Sequence, residues 1–204
     1  MSIAEEARAL LEQAGALKRG HFILSSGLHS ERYCQCATLF EHPEIAGRIA
    51  ALMKRLLPPT LRVDVVLSPA LGGVLWGYEL SRTLGCRNIF AERQPGAPFE
   101  LKRGFEIRPN ESVLLAEDVV TTGGSVSELV PLVTRSGARL AGFAVIADRS
   151  RGSFKPTGGV PLFALTELDF ETYKPDALPE RLKHVPAVKP GSRVRAPDAQ
   201  EVTG

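Results

Sequence analysis

The sequence predicts a single α/β domain built on a doubly wound, mainly parallel sheet. Short β-branched runs alternate with Gly-rich turns and helical spacing between residues 63 and 148, the rhythm of parallel strands joined by crossover helices. A length of 204 residues with 44% hydrophobic content suffices for one sizeable core. Polar turns at Ser68–Gly73, Glu117–Ser125 and Asp148–Arg149 each follow a strand, and ligands of open α/β sheets bind beyond the carboxyl ends of strands.

Apolar residues Ile3, Ala7, Leu10, Leu11 and Ala14 recur at helical spacing from Ile3 to Leu17, with Ser2 placed to cap and Gly20 beyond the end. His21–Leu24 leads into Ser25-Ser26-Gly27, and Tyr33 to Phe40 reads as an extended piece or a lead into the next helix. Ile45, Ile49, Leu52, Met53 and Leu56 predict a helix over 43–57, stopped by Pro58-Pro59. Val63–Leu67 predicts a strand, and a helix follows through Leu80. Strands are predicted at 88–91, 113–116 and 140–147, with a helix over 125–136. From Pro186 onward Pro, Lys, Arg and Gly dominate, so the domain is expected over 1–185 and a flexible tail over 186–204.

Lys and Arg total 25 against 23 Asp and Glu, a net charge of +2 that gives no broad footprint for nucleic acid or an anionic membrane. The N-terminus lacks a long apolar stretch with a cleavage site, and no apolar run reaches membrane-spanning length. Three cysteines, Cys34, Cys36 and Cys86, point to reduced thiols and a cytoplasmic setting. Cys34-x-Cys36 has no second pair at ligand spacing and reads as small apolar side chains on a strand. His21, His29, His42 and His184 form no metal-like pair in sequence.

The chemistry concentrates in VLLAEDVVTTGGSVSELV, residues 113–130. Thr121, Thr122 and Ser125 supply hydroxyl donors, and Gly123-Gly124 lets the backbone close around an anion at a helix start, a cradle for a monophosphate. No Gly-Lys-Ser/Thr follows and no G-x-G-x-x-G is present. Glu117 and Asp118 would repel a phosphate, so they suit sugar hydroxyls or a cation. A phosphorylated ribose satisfies both halves; a strand with polar residues at its end and a capped helix is the plain alternative.

Residues 113–125 resemble the phosphoribosyl-pyrophosphate motif of the type I phosphoribosyltransferases. Phe22-Ile23-Leu24-Ser25-Ser26-Gly27-Leu28-His29-Ser30-Glu31-Arg32-Tyr33 resembles the N-terminal signature of the orotate phosphoribosyltransferases, Ser68–Gly73 their pyrophosphate loop, and Ala147-Asp148-Arg149 the segment whose arginine contacts the orotate carboxylate. The resemblance implies the family fold with a small N-terminal hood over about residues 1–40. It implies Mg2+-dependent transfer of 5-phosphoribosyl from phosphoribosyl pyrophosphate to orotate, giving orotidine 5′-monophosphate and pyrophosphate in pyrimidine synthesis, by a homodimer.

Carried over residue by residue, it assigns Glu117, Asp118 and Arg93 to catalysis, with Asp118 the side chain that could touch Mg2+. The donor falls to Glu117, Asp118, Val119, Val120, Thr121, Thr122, Gly123, Gly124 and Ser125, to Leu71, Gly72 and Gly73, and to Arg93, Lys102 and Arg103. Orotate falls to Ser26, Gly27, Tyr33, Cys34, Thr121 and Arg149. A guanidinium such as Arg149 can hold a carboxylate bidentately, a solvated arginine after a strand being the alternative. For Tyr33 that alternative is core packing. The loop 93–104 would lie near the neighbouring subunit's active site. It departs from the family: Gln94 and Ala97 stand where lysines are expected, no His is present, and Ser25 replaces a Lys. Two other readings stay open, a purine base as acceptor and a regulator that senses the donor without catalysis.

Overall fold

The structure is a computed structural model that describes residues 1–24 and 26–190. Its elements are α1 (Ile3–Gln13), β1 (Leu17–Ile23), β2 (His29–Cys34), a 3-10 turn (Cys36–Glu41), α2 (Pro43–Leu56), β3 (Val65–Pro69), α3 (Gly72–Leu84), β4 (Arg87–Glu92), β5 (Glu100–Leu101), β6 (Ser112–Val120), α4 (Gly124–Ser127), α5 (Val130–Arg135), β7 (Arg139–Asp148), β8 (Leu162–Glu167), β9 (Thr172–Tyr173) and α6 (Glu180–Lys183). They form two compact units, one of residues 1–16 and 36–169, the other of residues 17–35 with the described residues from 170 on.

The larger unit carries a six-stranded sheet in the order β5-β4-β3-β6-β7-β8, with β3, β4, β6, β7 and β8 parallel and β5 antiparallel at one edge. This is the doubly wound, mainly parallel sheet the sequence predicts. Because strand side chains alternate, the central strands present apolar residues to both faces. Val65, Leu67, Val113, Leu115, Phe143 and Val145 pack on one face with Val126 of α4, Val133 of α5 and Phe154. Val66, Leu114 and Ala144 alternate with them and are fully buried. Trp76 of α3 donates from its indole to the Ala144 carbonyl at 3.1 Å, so a large buried ring meets no unsatisfied donor cost. Ser2 caps α1 through a reciprocal box with Glu5, an arrangement worth about 1 kcal/mol.

Several expectations are corrected. The first helix ends at Gln13, because Gly15 takes a left-handed conformation (φ 64°) and Leu17 already begins a strand. The helix expected over 125–136 is two short pieces, α4 and α5; Pro131 in the first turn of α5 has no N–H to continue the ladder from α4. β6 runs on to Val120 rather than stopping at Ala116.

The smaller unit is a three-stranded antiparallel sheet, β1-β2-β9. It is narrower at the N-terminus than the expected hood of about 1–40, since α1 belongs to the larger unit, and it needs C-terminal residues. Ser30 Oγ donates to the Glu171 carbonyl at 2.9 Å. The first residues after Val185 also pair with it: Ile23 donates to the Val188 carbonyl at 2.9 Å and Val188 to the His21 carbonyl at 2.8 Å. The remainder of the expected tail, 191–204, lies outside the described residues. His21 and His29, unremarkable in sequence, share a ring hydrogen bond of 2.6 Å, and the other His21 nitrogen lies 2.7 Å from the Val185 carbonyl.

Candidate active site

The strand order reverses at β3 and β6. From β3 the chain crosses through α3 to β4 on one side, and later returns to β6 on the other, so the turns after β3 and β6 diverge and leave a crevice. The β3–β6 ladder stops at Leu67↔Leu115, whereas the β6–β7 ladder continues to Val120↔Asp148. Glu117 and Asp118 therefore stand on strand backbone held from the β7 side only, beyond the point where β3 has turned away.

Two turns close on this pair. A methyl group at Gly72 would lie 3.6 Å from the Asp118 carboxylate, and one at Gly73 would come within 3.0 Å of the Ala116 carbonyl, so side chains there would fill the approach. The Ala70–Leu71 peptide is cis, and Leu71 is 83% exposed. On the other side, the Val126 N–H at the start of α4 lies close enough to favour the ionised Glu117 carboxylate.

Burial pushes the Glu117 carboxyl up to about 8, the neighbouring Asp118 charge adds to the rise, and the Val126 N–H and Arg93 partly offset it. Asp118 is also raised by burial, against a bond of 2.8 Å from the Val119 N–H. Two neighbouring carboxyls that resist ionising suit hydroxyl donors or a cation as partners.

Thr121 and Thr122 are exposed after β6, and Gly123 takes a left-handed conformation (φ 72°). A Cβ at Gly123 would lie 2.1 Å from the Phe154 ring, so packing as well as conformation requires glycine. The Phe154 ring in turn meets Phe143 edge-on at 5.6 Å. The Gly124 N–H points to Thr122 Oγ1 at 3.4 Å, while the N–H groups of Thr121, Thr122 and Gly123 have no protein acceptor among the described residues. Donors in this pattern suit an anion.

Arg149 follows β7, and its N–H donates to the Val120 carbonyl at 2.8 Å. The structure thus brings Arg149 beside Thr121. Asp148 accepts from Ser150 N–H at 2.7 Å, which fixes the turn that carries the arginine.

The 93–104 segment is a hairpin off β4. Arg93 pairs with Glu128 at 2.6 Å and lies 4.4 Å from the Phe99 ring centre. Arg103 is held by both oxygens of Glu92 at 2.8 and 2.9 Å, and Lys102 is 3.8 Å from Glu100. Of the three loop cations, Arg93 is thus the one tied to Glu128 at the end of α4, and the other two are held by acids of the hairpin.

The other predicted base contacts belong to the smaller unit. Ser26 and Gly27 form an exposed turn, with Gly27 donating to the Leu24 carbonyl at 2.9 Å. Tyr33 packs on Phe22 at 5.6 Å between ring centres, and Cys34 is buried. Ser25 lies outside the described residues. Sequence reasoning missed Val126 and Glu128, which lie in the 113–130 stretch just past the resembling residues 113–125, and Phe154, which stands in no motif. Among the described residues no group of three or more His, Cys, Asp or Glu could hold a metal ion, and no helix is long and apolar enough to cross a membrane.

Comparison with known proteins adds independent findings. The phosphoribosyl transferase domain family matches residues 35–161. A protein of Rhizorhabdus wittichii named orotate phosphoribosyltransferase is 46% identical over 191 residues, 93% of this chain and 96% of the relative. One of that name from Thermotoga maritima is 46% identical over 186 residues, 91% of this chain and 97% of the relative. The crystal structure of orotate phosphoribosyltransferase from Aeropyrum pernix superposes with a TM-score of 0.67 at 25% identity, covering 79% of this chain and 93% of that one.

Proposed function

Because this chain belongs to the orotate phosphoribosyltransferase family, we propose that it transfers 5-phosphoribosyl from phosphoribosyl pyrophosphate to orotate, giving orotidine 5′-monophosphate and pyrophosphate in de novo pyrimidine synthesis. The observation that carries this reading is the acid pair flanked by two ligand-ready turns, with Asp118 against the Gly72 turn and Glu117 beside the Val126 N–H.

In this reading the hydroxyls of Thr121, Thr122 and Ser125 and the N–H groups of 121–125 hold the 5′-phosphate, and Asp118 with Glu117 accepts from the ribose hydroxyls. The backbone of Leu71, Gly72 and Gly73 holds the diphosphate, and Arg93 offsets its growing charge as the bond to the anomeric carbon breaks. The sugar passes through an oxocarbenium-like state, so rate comes from positioning and charge stabilisation, without a protein nucleophile. Arg149 clamps the orotate carboxylate, and Ser26, Gly27, Tyr33, Cys34 and Thr121 complete base recognition. Lys102 and Arg103 contribute to donor binding after release from Glu100 and Glu92.

A magnesium ion that keeps waters and substrate oxygens in its shell needs only one or two carboxylates from the protein, and Asp118, which faces the side-chain-free Gly72 turn, is the side chain that would hold it. When bound, it supplies charge neutralisation for the departing diphosphate. The enzyme acts as a cytoplasmic homodimer on small molecules alone, without nucleic acid or membrane, and loop 93–104 lies near the neighbouring subunit's site. Leu71, just before α3, and Leu75 and Tyr78 on α3 are exposed and support association with a second copy.

The test is incubation with donor, Mg2+ and a panel of free bases. Nucleotide should form with orotate and not with adenine or hypoxanthine, and Asp118→Asn should lower turnover about a hundredfold while the fold stays intact. Nucleotide formation with a purine alone, or donor binding without turnover on any base, would overturn the proposal.

A further inference from the structure

We propose that the smaller unit carries a second anion site, formed by Arg19 and Arg32, that takes the phosphate group of a small molecule. The residues involved differ from all those assigned to the transfer reaction, so this site stands or falls independently of it.

The register of β1 and β2 places Arg19 directly opposite Arg32. Like charges facing each other across an antiparallel pair repel, and such a pair is destabilising unless an anion lies between them. Both side chains are exposed, and neither has an acidic partner among the described residues. Arg181 on α6 differs: it is bonded to Glu31, donates to the Tyr173 hydroxyl at 2.8 Å and lies 3.7 Å from Glu171. Its charge is compensated, whereas the two charges of Arg19 and Arg32 are not.

A surface groove open to solvent, of about 250 Å3, is lined by Arg19, Arg32, Arg181 and Glu31, with Leu182 and Val185 on its apolar side. The strand bends there. The ladder shifts register between Arg19 and Phe22, and Gly20 between them has φ 158°, with room for a Cβ only at 3.3 Å from the Phe22 ring. Such bulges re-aim side chains and are common beside functional sites.

Two uncompensated guanidiniums match a dianion, and a phosphate monoester carries about −1.5 to −2 charges near pH 7. Planar guanidinium forks hold phosphate oxygens bidentately. The volume equals roughly eight waters at about 30 Å3 each, room for a phosphate with a small organic body. Two charges are also too few for the long phosphate track of a nucleic acid, and Leu182 with Val185 gives the organic body an apolar surface. A free phosphate and a monoester share this chemistry, and the probes below separate them.

The test uses the full chain labelled with 15N, titrated with inorganic phosphate and separately with ribose 5-phosphate, with affinities read amide by amide. The backbone signals of Arg19, Gly20 and Arg32 should shift and saturate. R19Q/R32Q should weaken that set at least about tenfold, the effect expected from losing even one charge-assisted contact, while shifts at 121–125 and orotidine monophosphate formation stay unchanged. R32Q alone keeps one guanidinium, removes the facing charge, and should show the same loss; it serves if the double variant fails to fold. A tighter value for ribose 5-phosphate assigns the apolar wall to the organic body, and equal values assign the site to phosphate alone. Shifts that grow without saturation, or variants that bind as tightly as the parent, would refute the site.

Discussion

Glu117→Gln tests the electrostatics of the crevice through stability rather than catalysis. In the unfolded chain this carboxyl ionises near its ordinary value of 4.5; in the folded protein it does so at about 8. The folded state therefore prefers the neutral form. Stability from this group is fully present below the unfolded value and is lost as pH rises towards the folded one, levelling off above about 8. At about 1.4 kcal/mol per pKa unit, the difference sets a ceiling of roughly 5 kcal/mol. The residue is only partly screened from solvent by surface area, which leaves roughly 2–3 kcal/mol between pH 5 and pH 8. Glutamine is neutral throughout, so the variant should match the parent at pH 5 and exceed it by that amount at pH 8, about 5–10 °C in melting temperature for a chain of this size. Urea unfolding without substrate, followed by fluorescence of the sole tryptophan, Trp76, fully buried on α3, measures the difference at each pH. An offset between the two proteins that stays constant from pH 5 to pH 8 would show that Glu117 is not forced to ionise against its surroundings.

Gly123→Ala should cost about 2–4 kcal/mol, from a left-handed backbone and a methyl group 2.1 Å from Phe154, and should raise the KM for the donor more than it lowers turnover. Urea unfolding and initial rates measure the two effects, and a variant as stable as the parent would disprove the close approach. Arg149→Ala should weaken orotate about a hundredfold and leave donor affinity within about twofold, since a lost bidentate clamp acts on the carboxylate alone. Equal weakening of both substrates in binding titrations would remove Arg149 from base recognition.

What was legible in the sequence was local. Central strands covered on both faces are continuous apolar runs, so β3, β4, β6 and β7 show in sequence, and the acid pair with its hydroxyl and glycine loop is one contiguous stretch. Where β6 ends was not legible: Glu117 and Asp118 read as a turn, yet the ladder to β7 carries them as strand to Val120. β9 is two residues long and exists through its pairing with β2, far away in the chain, so no local pattern announces it or the sheet it completes. The same holds for the contacts that tune the site. Arg93 and Glu128 are 35 residues apart, and the ring that forces glycine at 123 comes from Phe154 in a loop with no periodicity. Arg19 facing Arg32 depends on register, which the bulge at Gly20 resets.

Placing two carboxyls where burial raises both is unfavourable for folding, and a larger neutral side chain at either position would stabilise the empty crevice. The topology explains why the position is nonetheless available: β3 leaves the sheet after Pro69 while β6 runs on, and the β7 ladder alone supports the strand through the acids. The resulting gap is wide enough for the Gly72 turn to approach Asp118 without a side chain between them. An acid pair that costs stability when empty gains most from a partner with several hydroxyls or a positive charge, because such a partner removes the penalty as it binds. Glu117→Gln should for that reason be more stable and less active at pH 8, which separates an acid selected for ligand chemistry from one retained for packing.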